Sequence, residues 1–407
     1  MTRRAPRPLD HVLGAAAYLP GRSVPGLVKL SSNESVVPPS RAVEAAITAA
    51  VAGLNRYPPH LPAAVRDAVA RYLVGHAGAP GPLDPDRVLV GNGSVTLLRQ
   101  VFEAYVADGA RVVVAWPSFE AYPLFAHLRR AAFVRVPLAG GLFDVDGLVE
   151  AVSDPATRLV LLTTPNNPTG GELGHDDVAR IADAAPDGCL VVVDNAYGEF
   201  QRNVDGVRPF ALLDGRPHVL VLRTLAKAFS LAGLRVGYGV GDPEVVEAVD
   251  RVRSPFEVNA LAQAAAVAAL ADDEVEGVVT RAEALVAERR RCIAALWDGG
   301  LPVGESQGNF VWLPTGSATA TFVERFAADG YVVRAFTDDG IRVTVVGPDD
   351  DDAWVASALR TWALPELAPV RERVADAVAE ARPTVATGVE TAATQALSYA
   401  TATRLQA

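Results

Sequence analysis

Lysine is rare in this chain, and one of its two lysines lies in a segment whose residues could carry out amine chemistry. Lys227 belongs to RTLAKAFSLAGLR, residues 223–235, and Lys29 is the other lysine. The other 35 of the 37 lysine and arginine residues are arginine. An arginine stays protonated in proteins, whereas a lysine amine can lose its proton and attack a carbonyl. Lys227 is therefore a candidate nucleophile, and the alternative from composition alone is a lysine retained by chance on a solvated face.

Three further motifs have residue types that could bind a ligand beside such a lysine. GNGS at 91–94 separates a predicted strand from a predicted helix, and the backbone N–H groups of such a turn can bind phosphate, although many glycine turns bind nothing. TTPNNPTG at 163–170 is a polar turn after an apolar run. Asp194 ends the apolar run VVVD, where it could serve as a functional carboxylate or as a helix N-cap.

The elements that position these motifs are apolar strands alternating with helical patterns. The strand-like runs are RVLVG, ARVVVAW, RLVLLTT, CLVVVD and HVLVLRT. Apolar strands that are separated by helices are typical of a mainly parallel α/β sheet with helices on both faces. Polar or glycine-rich residues follow these runs, and the carboxyl edge of an open α/β sheet is where ligands bind. We therefore expect the motifs to meet at that edge.

After about residue 262 the pattern changes to a smaller α+β domain. A long amphipathic helix is predicted first, with an interruption near Asp272 and Asp273. GNFVWLP, YVVRAF and IRVTVVG then predict short strands around a helix in ATATFVERFAADG. The predicted divisions are an N-terminal arm joining the small domain (1–40), a large domain (41–261), a small domain (262–363) and an Ala/Thr-rich C-terminal extension (364–407).

The predicted extension contains one helical stripe. Val370, Val374 and Val378 are spaced as i, i+4 and i+8, and Pro383 follows. We expect the extension to be solvated and partly disordered, or to contact a partner or the second subunit of a dimer.

Composition excludes several classes of function. A net charge of −11 and a pI near 5.1 argue against a nucleic-acid partner. Cys189 and Cys292 cannot form a disulfide framework, and no His/Cys cluster indicates a metal site. The basic start MTRRAPRPLDHVLG has no apolar stretch after it, so no signal peptide is expected. No apolar run approaches the ~18 residues of a membrane span, so a cytoplasmic protein is expected.

Taken together, the motifs resemble those of fold-type-I aminotransferases that depend on pyridoxal 5′-phosphate, within the histidinol-phosphate aminotransferase group. Asp194, Tyr197, Lys227 and Arg235 follow PNNPTG in family order and spacing. The wording WPSFEAYP, GNGSV and NFVWLP is most similar to the actinobacterial aromatic (phenylalanine) branch. The matching stretches, from about residue 18 to residue 360, are VKLSSNES, NRYPP, GNGS, WPSFEAYP, TTPNNPTGG, VVDNAYGEF, RTLAKAFSLAGLRVGYGV, NALAQAAAVAAL, GNFVWLP and GIRVTVVG.

The resemblance implies the cofactor and the residues that contact its ring. Lys227 would form a Schiff base with the cofactor aldehyde and, once released by the substrate amine, would shuttle the proton between the substrate Cα and the cofactor carbon. Asp194 would pair with the pyridinium nitrogen. Asn167 and Tyr197 would donate hydrogen bonds to the ring oxygen, and Phe119 would stack on the ring.

The resemblance also implies how the cofactor phosphate is held. Ser94, the Val95 N–H, Thr224 and Arg235 would bind it within one chain. Tyr57 of NRYP would reach it from the partner subunit, so a homodimer is implied.

Substrate contacts follow from the same resemblance. Arg342 would grip the α-carboxylate as a bidentate pair, beside Asn167. Arg334 would meet the distal group of some substrates, and Tyr18 would cover the site.

Some positions depart from the family pattern. Ala226 replaces a frequent serine, Asn195 replaces the glutamate of DEAY, Ser230 replaces a glycine, and Val95-Thr96 replaces an Asp-Glu pair. Phe119 replaces a tyrosine that can help to hold a substrate phosphate. The predicted function is therefore transfer of an amino group between an L-amino acid, most readily an aromatic one, and a 2-oxo acid such as 2-oxoglutarate by a ping-pong route.

Three alternatives remain open from the sequence. One is histidinol-phosphate aminotransferase of histidine biosynthesis, and another is a repurposed enzyme of this fold, such as a decarboxylase or an enzyme of specialised metabolism. The third is a non-catalytic regulator that senses an amine.

Overall fold

The computed structural model describes residues 6–17, 20–138 and 142–372, so Tyr18 and most of the predicted extension lie outside the described residues. The strands are β1 Val28–Lys29, β2 Val88–Gly91, β3 Arg111–Trp116, β4 Ala132–Pro137, β5 Thr157–Thr163, β6 Leu190–Asp194, β7 Val219–Thr224, β8 Gly237–Val240, β9 Phe310–Leu313, β10 Tyr331–Val332, β11 Arg334–Phe336 and β12 Gly340–Thr344. The α-helices are α1 Asp10–Leu13, α2 Arg41–Val51, α3 Ala63–His76, α4 Ser94–Tyr105, α5 Ala121–Leu128, α6 Val145–Val152, α7 His175–Asp183, α8 Pro243–Asp250, α9 Ala260–Ala269, α10 Asp272–Asp298, α11 Thr319–Ala328 and α12 Pro348–Trp362. Within the described ranges, none of these helices has both the length and the apolarity needed to cross a membrane.

A seven-stranded sheet forms the centre of the molecule, in the order β2-β8-β7-β6-β5-β3-β4. The pairs from β7 to β4 are parallel, whereas β8 is antiparallel to both of its neighbours. The mainly parallel sheet is thus confirmed, with β8 as the exception. The segment between β7 and β8 contains Lys227 and only a short 3-10 turn at Ala232–Leu234. Without a crossover helix the chain reverses and β8 pairs antiparallel to β7.

Helices cover both faces of this sheet because successive side chains of a strand point to opposite sides. In β5, Leu159 and Leu161 belong to one apolar cluster, and Val160 and Leu162 belong to another. Helices α4, α5 and α8 pack on the first face, and α3, α6, α7 and α9 pack on the second. The α/β fold predicted from the sequence is confirmed as a three-layer arrangement.

A second, smaller unit surrounds the antiparallel sheet β11-β12-β9. Its apolar cluster is separate from those of the large sheet and includes Phe322, Trp354 and Leu296 of helices α11, α12 and α10. The short strand β1 pairs in parallel with β10, so the N-terminal segment contacts this unit. The helical stretch after residue 260 is divided between α9 and α10, as the acidic pair Asp272-Asp273 suggested. The separate clusters support two domains, and we keep this division as a proposal. Helix α9 of the predicted small domain nevertheless packs on the large sheet, and Leu367 and Val370 of the predicted extension belong to the cluster of the small unit.

Candidate active site

A cavity of about 190 Å³ lies at the carboxyl edge of the large sheet, between that sheet and the small unit. Strands β5, β6 and β7 end at it with Thr163, Asp194 and Thr224, and helix α4 begins beside it. It is lined by Gly21, Ser31, Ser32, Ser94, Val95, Phe119, Glu120, Thr163, Asn167, Asp194, Ala196, Tyr197, Thr224, Ala226, Lys227, Arg235, Arg334 and Arg342. Parallel strands bring their carboxyl ends to one edge, so motifs that are far apart in the sequence meet here.

Lys227 projects into this cavity from the segment after β7. Its Nζ donates a hydrogen bond to the Ser32 carbonyl oxygen at 2.9 Å. Burial lowers the pKa of Lys227 to about 7, and the positive charge of Arg342 adds to this shift. A substantial fraction of the amine is therefore neutral near pH 7, as a nucleophile or general base requires.

Asp194 is buried at the end of β6 and has one oxygen to spare. Its Oδ2 accepts a hydrogen bond from the Tyr122 hydroxyl at 2.8 Å, whereas its buried Oδ1 has no hydrogen-bond partner among the described residues. Burial raises the pKa of Asp194 to about 6. The Tyr122 hydroxyl also lies 2.6 Å from Thr163 Oγ1. Tyr122 belongs to the WPSFEAYP motif, but nothing in the local sequence indicates its contact with Asp194.

The hydroxyl of Tyr197 is positioned from the N-terminal segment. Asn33 Nδ2 donates a hydrogen bond to Tyr197 Oη at 2.9 Å, and the Asn33 N–H donates one to Thr344 Oγ1 at 3.0 Å. Asn33 itself has a left-handed backbone with φ of 52°. The sequence motif VKLSSNES thus connects the cavity to the small unit, a role that its residue types alone did not reveal.

The first turn of α4 forms a cradle for an anion. Ser94 and Val95 begin the helix, and their N–H groups are among those that an α-helix leaves without an intrahelical acceptor. The Arg235 guanidinium lies against Gly93, where a β-carbon would come within 2.9 Å of its Nη2. Thr224 Oγ1 faces the same cavity and accepts a hydrogen bond from the Ala226 N–H at 3.1 Å. The helix N-terminus and the guanidinium together favour a phosphate.

Arg342 lies on β12, on the small-unit side of the cavity. Its Nη2 donates to the Ser31 carbonyl oxygen at 2.7 Å, and its Nη1 donates to Asn167 Oδ1. These bonds orient a buried guanidinium toward the polar turn that contains Asn167.

Arg334 lies opposite Arg342 on β11 and is held in a bidentate ion pair with Glu120. Arg334 Nε and Nη2 lie 3.0 and 2.7 Å from the Glu120 oxygens. Sequence reasoning missed Glu120, although it directly follows Phe119. The only available signal was its presence in WPSFEAYP.

Two departures from the family pattern have local structural roles. Asn195 donates hydrogen bonds to the Thr164 carbonyl oxygen and to Gln201 Oε1, both at 2.7 Å, and so ties β6 to the turn after β5. Ser230 has φ of 60°, a conformation in which glycine is least strained. Its hydroxyl donates to Ser35 Oγ at 2.9 Å.

One predicted residue, Tyr57, does not line this cavity. It is 82% exposed and stacks on Phe256 with ring centroids 4.6 Å apart. Its predicted role in a partner's site therefore stays a prediction. Tyr18 lies outside the described residues.

The lining residues fit pyridoxal 5′-phosphate. The spare Asp194 Oδ1 suits a ring N–H donor, the α4 cradle with Arg235 suits a phosphate, and the Lys227 amine suits an aldehyde. Phe119 offers an aromatic face beside them.

Known proteins that are similar to this chain in sequence are aminotransferases. A family model described as aminotransferase class I and II matches residues 25–359. An aromatic amino acid aminotransferase of Mycobacterium tuberculosis (strain ATCC 25618 / H37Rv) is 43% identical over 350 residues, which cover 85% of this chain and 96% of the relative. One from Mycolicibacterium paratuberculosis (strain ATCC BAA-968 / K-10) is 42% identical over 357 residues, with 85% and 97% covered.

Solved structures are similar over the same span. Histidinol-phosphate aminotransferase from Sinorhizobium meliloti, in complex with pyridoxal-5′-phosphate, has a TM-score of 0.73 at 29% identity and covers 82% of this chain and 90% of its own. N-Succinyldiaminopimelate aminotransferase from Mycobacterium tuberculosis has a TM-score of 0.73 at 26% identity, with 83% and 94% covered.

Proposed function

Because the chain belongs to the class I and II aminotransferase family, we propose that it moves an amino group between an aromatic L-amino acid and a 2-oxo acid, with pyridoxal 5′-phosphate as cofactor. Membership of this family confirms the aminotransferase predicted from the motifs. The substrate class is the further step, and the relatives named aromatic amino acid aminotransferases support it. They also favour this function over the decarboxylase and regulator alternatives.

One observation carries the proposal: a lysine amine with a lowered pKa and a buried carboxylate with an unused oxygen line the same cavity. When bound, pyridoxal phosphate supplies an aldehyde that reacts with amines and a ring that accepts electrons from the substrate Cα. Lys227 Nζ would be the amine that holds the cofactor and the base that moves the proton at the substrate Cα. Asp194 would accept a hydrogen bond from the ring nitrogen and would favour its protonated form.

The remaining cofactor contacts would come from around the cavity. The phosphate is assigned to Ser94, the Val95 N–H, Thr224 and Arg235, which line the cavity near the start of α4. Phe119 is assigned to the ring face. Tyr197 and Asn167 are assigned to the ring oxygen, and the bond from Asn33 orients the Tyr197 hydroxyl for that contact.

Substrate binding is assigned to the small-unit side of the cavity. Arg342 would bind the α-carboxylate through its guanidinium, in the bidentate geometry that arginine favours. Phe119, which lacks the hydroxyl of a tyrosine, supports an aromatic substrate over a phosphorylated one. Histidinol-phosphate aminotransferase is the second candidate, because Arg334 also lines the cavity and could meet a phosphate.

The first test is a half-reaction without any 2-oxo acid. L-Phenylalanine or L-histidinol phosphate is added to the purified holoenzyme, and loss of the visible cofactor band is followed by stopped flow. We expect phenylalanine to bleach the band at least tenfold faster at equal concentration, a difference of about 1.4 kcal/mol in the barrier. A faster reaction with histidinol phosphate would establish the second candidate instead.

Two lysine variants separate chemistry from charge. Lys227→Ala is expected to abolish turnover with every substrate, and Lys227→Arg is expected to do the same because arginine does not release its proton. Lys29→Arg is the matched control, since Lys29 forms an ion pair with Glu34 at 2.8 Å that an arginine can keep. Undiminished turnover by Lys227→Ala would disprove the assignment of Lys227.

A further inference from the structure

The ion pair between Glu120 and Arg334 stands at the boundary between two cavities. Both residues line the reaction cavity, and both also line an adjoining open cleft of about 570 Å³. The pair is largely shielded, with side-chain exposures of 33% for Glu120 and 13% for Arg334. A group that extends from the reaction cavity toward the cleft must therefore pass this pair.

The charges around the pair decide what such a group can be. Arg334 and Arg342 are direct cross-strand partners on β11 and β12, and like charges in that position repel each other. Glu120 approaches Arg334 through both carboxylate oxygens and compensates its charge. An anion that reached Arg334 would have to displace this carboxylate or lie against it.

The cleft beyond the pair is suited to an uncharged side chain. Its walls include the apolar and aromatic residues Trp116, Leu124 and Phe336. The polar residues of the wall beyond the pair are His127, Thr337 and Asp339, and the Asp339 carboxylate would also repel an anion. Leu124 lies on α5, which Glu120 directly precedes, and Phe336 ends β11, which Arg334 begins, so the elements on both sides of the pair contribute to the wall.

We propose that Glu120 is a specificity-determining residue: by occupying Arg334 it disfavours substrates whose side chain ends in an anion, and it leaves uncharged, aromatic side chains unopposed. The proposal rests on the proposed aminotransferase function and refines its substrate class. It applies to phosphorylated amino donors and to dicarboxylic 2-oxo acids alike, since both would compete with the Glu120 carboxylate for one guanidinium. A 2-oxo acid with two carboxylates can still react, but it binds more weakly because its second carboxylate competes with Glu120 for Arg334.

The test is Glu120→Gln, which removes the charge and keeps the size of the side chain. The ratio kcat/KM is measured with L-phenylalanine, L-histidinol phosphate and 2-oxoglutarate. We expect the two anionic substrates to gain about tenfold or more, mainly through a lower KM, and phenylalanine to change by less than about threefold. Glu120→Asp keeps the charge and is expected to keep most of the discrimination.

Two further variants test whether Glu120 acts through Arg334 and whether the loss of any carboxylate would have the same effect. In Glu120→Gln/Arg334→Gln the gain for anionic substrates should vanish, because the freed guanidinium is gone. Glu103→Gln removes a carboxylate that pairs with Arg99 at 3.0 Å on the surface of α4, and it should leave all three values unchanged. Equal loss for all substrates in Glu120→Gln would mean that Glu120 only supports the local structure, and would overturn the proposal.

The measurements on the unmodified enzyme and on Glu120→Gln test the proposed function and the role of Glu120 separately. If the unmodified enzyme does not use phenylalanine, the proposed function fails. If it uses phenylalanine and Glu120→Gln leaves the substrate ratios unchanged, only the role of Glu120 fails.

Discussion

Two titratable groups in the cavity are shifted in opposite directions by the same cause. Burial lowers the pKa of Lys227 to about 7 and raises the pKa of Asp194 to about 6, and in both cases it favours the neutral form. The charge of Arg342 adds to the shift of Lys227. A cationic ring nitrogen placed against the spare Asp194 oxygen would favour the carboxylate again. The cavity is thus prepared for a cofactor that brings its own positive charge.

The lowered pKa of Lys227 predicts how the protein without cofactor takes up pyridoxal phosphate as pH changes. Only the neutral amine attacks the aldehyde, and about nine-tenths of it is neutral one pH unit above its pKa. The uptake rate, measured from the growth of visible absorbance, should rise through about pH 7 and level off above about pH 8.

Arg342→Gln should move this midpoint to higher pH, because it removes a positive charge that lowers the pKa of Lys227. An ordinary lysine would make the uptake rate climb toward pH 10. If the unmodified protein behaves in that way, the lowered pKa of Lys227 is contradicted.

At the scale of elements, the start of α4 and strand β8 approach each other closely below the proposed phosphate site. Gly237 opens β8, and a β-carbon there would lie 2.6 Å from the Ser94 nitrogen and 3.0 Å from the Arg223 carbonyl oxygen. These are backbone atoms, which cannot turn aside as a flexible side chain can. The absence of a side chain at this position sets the distance between the helix and the sheet.

Gly237→Ala is therefore expected to destabilise the protein by about 1–3 kcal/mol and to weaken cofactor binding, because α4 must shift. Thermal or denaturant unfolding measures the first effect, and equilibrium titration with pyridoxal phosphate measures the second.

Gly233→Ala is the matched control. Gly233 lies in the 3-10 turn just before β8, and a β-carbon there meets nothing within 4 Å. It should change stability by less than about 0.5 kcal/mol. Equal stability and cofactor affinity in the two variants would show that the contact between α4 and β8 does not limit the site.

At the scale of the whole molecule, an aromatic surface lies apart from the chain's own cavity. Tyr57 and Phe256 stack with an interplanar angle of 19°, and Phe256 has the uncommon φ of 57° for a bulky residue. An exposed tyrosine held in a defined position suits contact with a second copy. This supports the predicted homodimer in which Tyr57 completes the partner's phosphate site.

Complementation tests that arrangement. Tyr57→Ala should weaken cofactor binding about tenfold, and Lys227→Ala should be inactive. A hybrid of these two chains contains one site with both Lys227 and the partner's Tyr57, so mixing them under exchange conditions should restore activity at low cofactor concentration. If the mixture shows no gain over the separate variants, Tyr57 does not act across a subunit boundary. Light scattering of the unmodified protein checks that the assembly has twice the 42.7 kDa chain mass.

Sequence alone was enough to predict the general architecture and the residues that meet at one edge of the sheet. The apolar strands predicted a mainly parallel sheet, and the polar ends of those strands predicted that Lys227, Asp194 and Asn167 would share one edge. Such inferences succeed because residue type determines what a side chain can do, and because parallel strands bring their ends together whatever lies between them.

Only the tertiary structure determined the partners and the acid–base state of these residues. Ser32 accepts from Lys227 across 195 positions, and Glu120 pairs with Arg334 across 214. Tyr122 and Asn33 contact Asp194 and Tyr197 in the same way, from other elements. The reversed direction of β8 likewise depended on how the segment around Lys227 folds. Hydrogen bonds, ion pairs and burial depend on distances between remote parts of the chain, and a local pattern of residue types does not contain those distances.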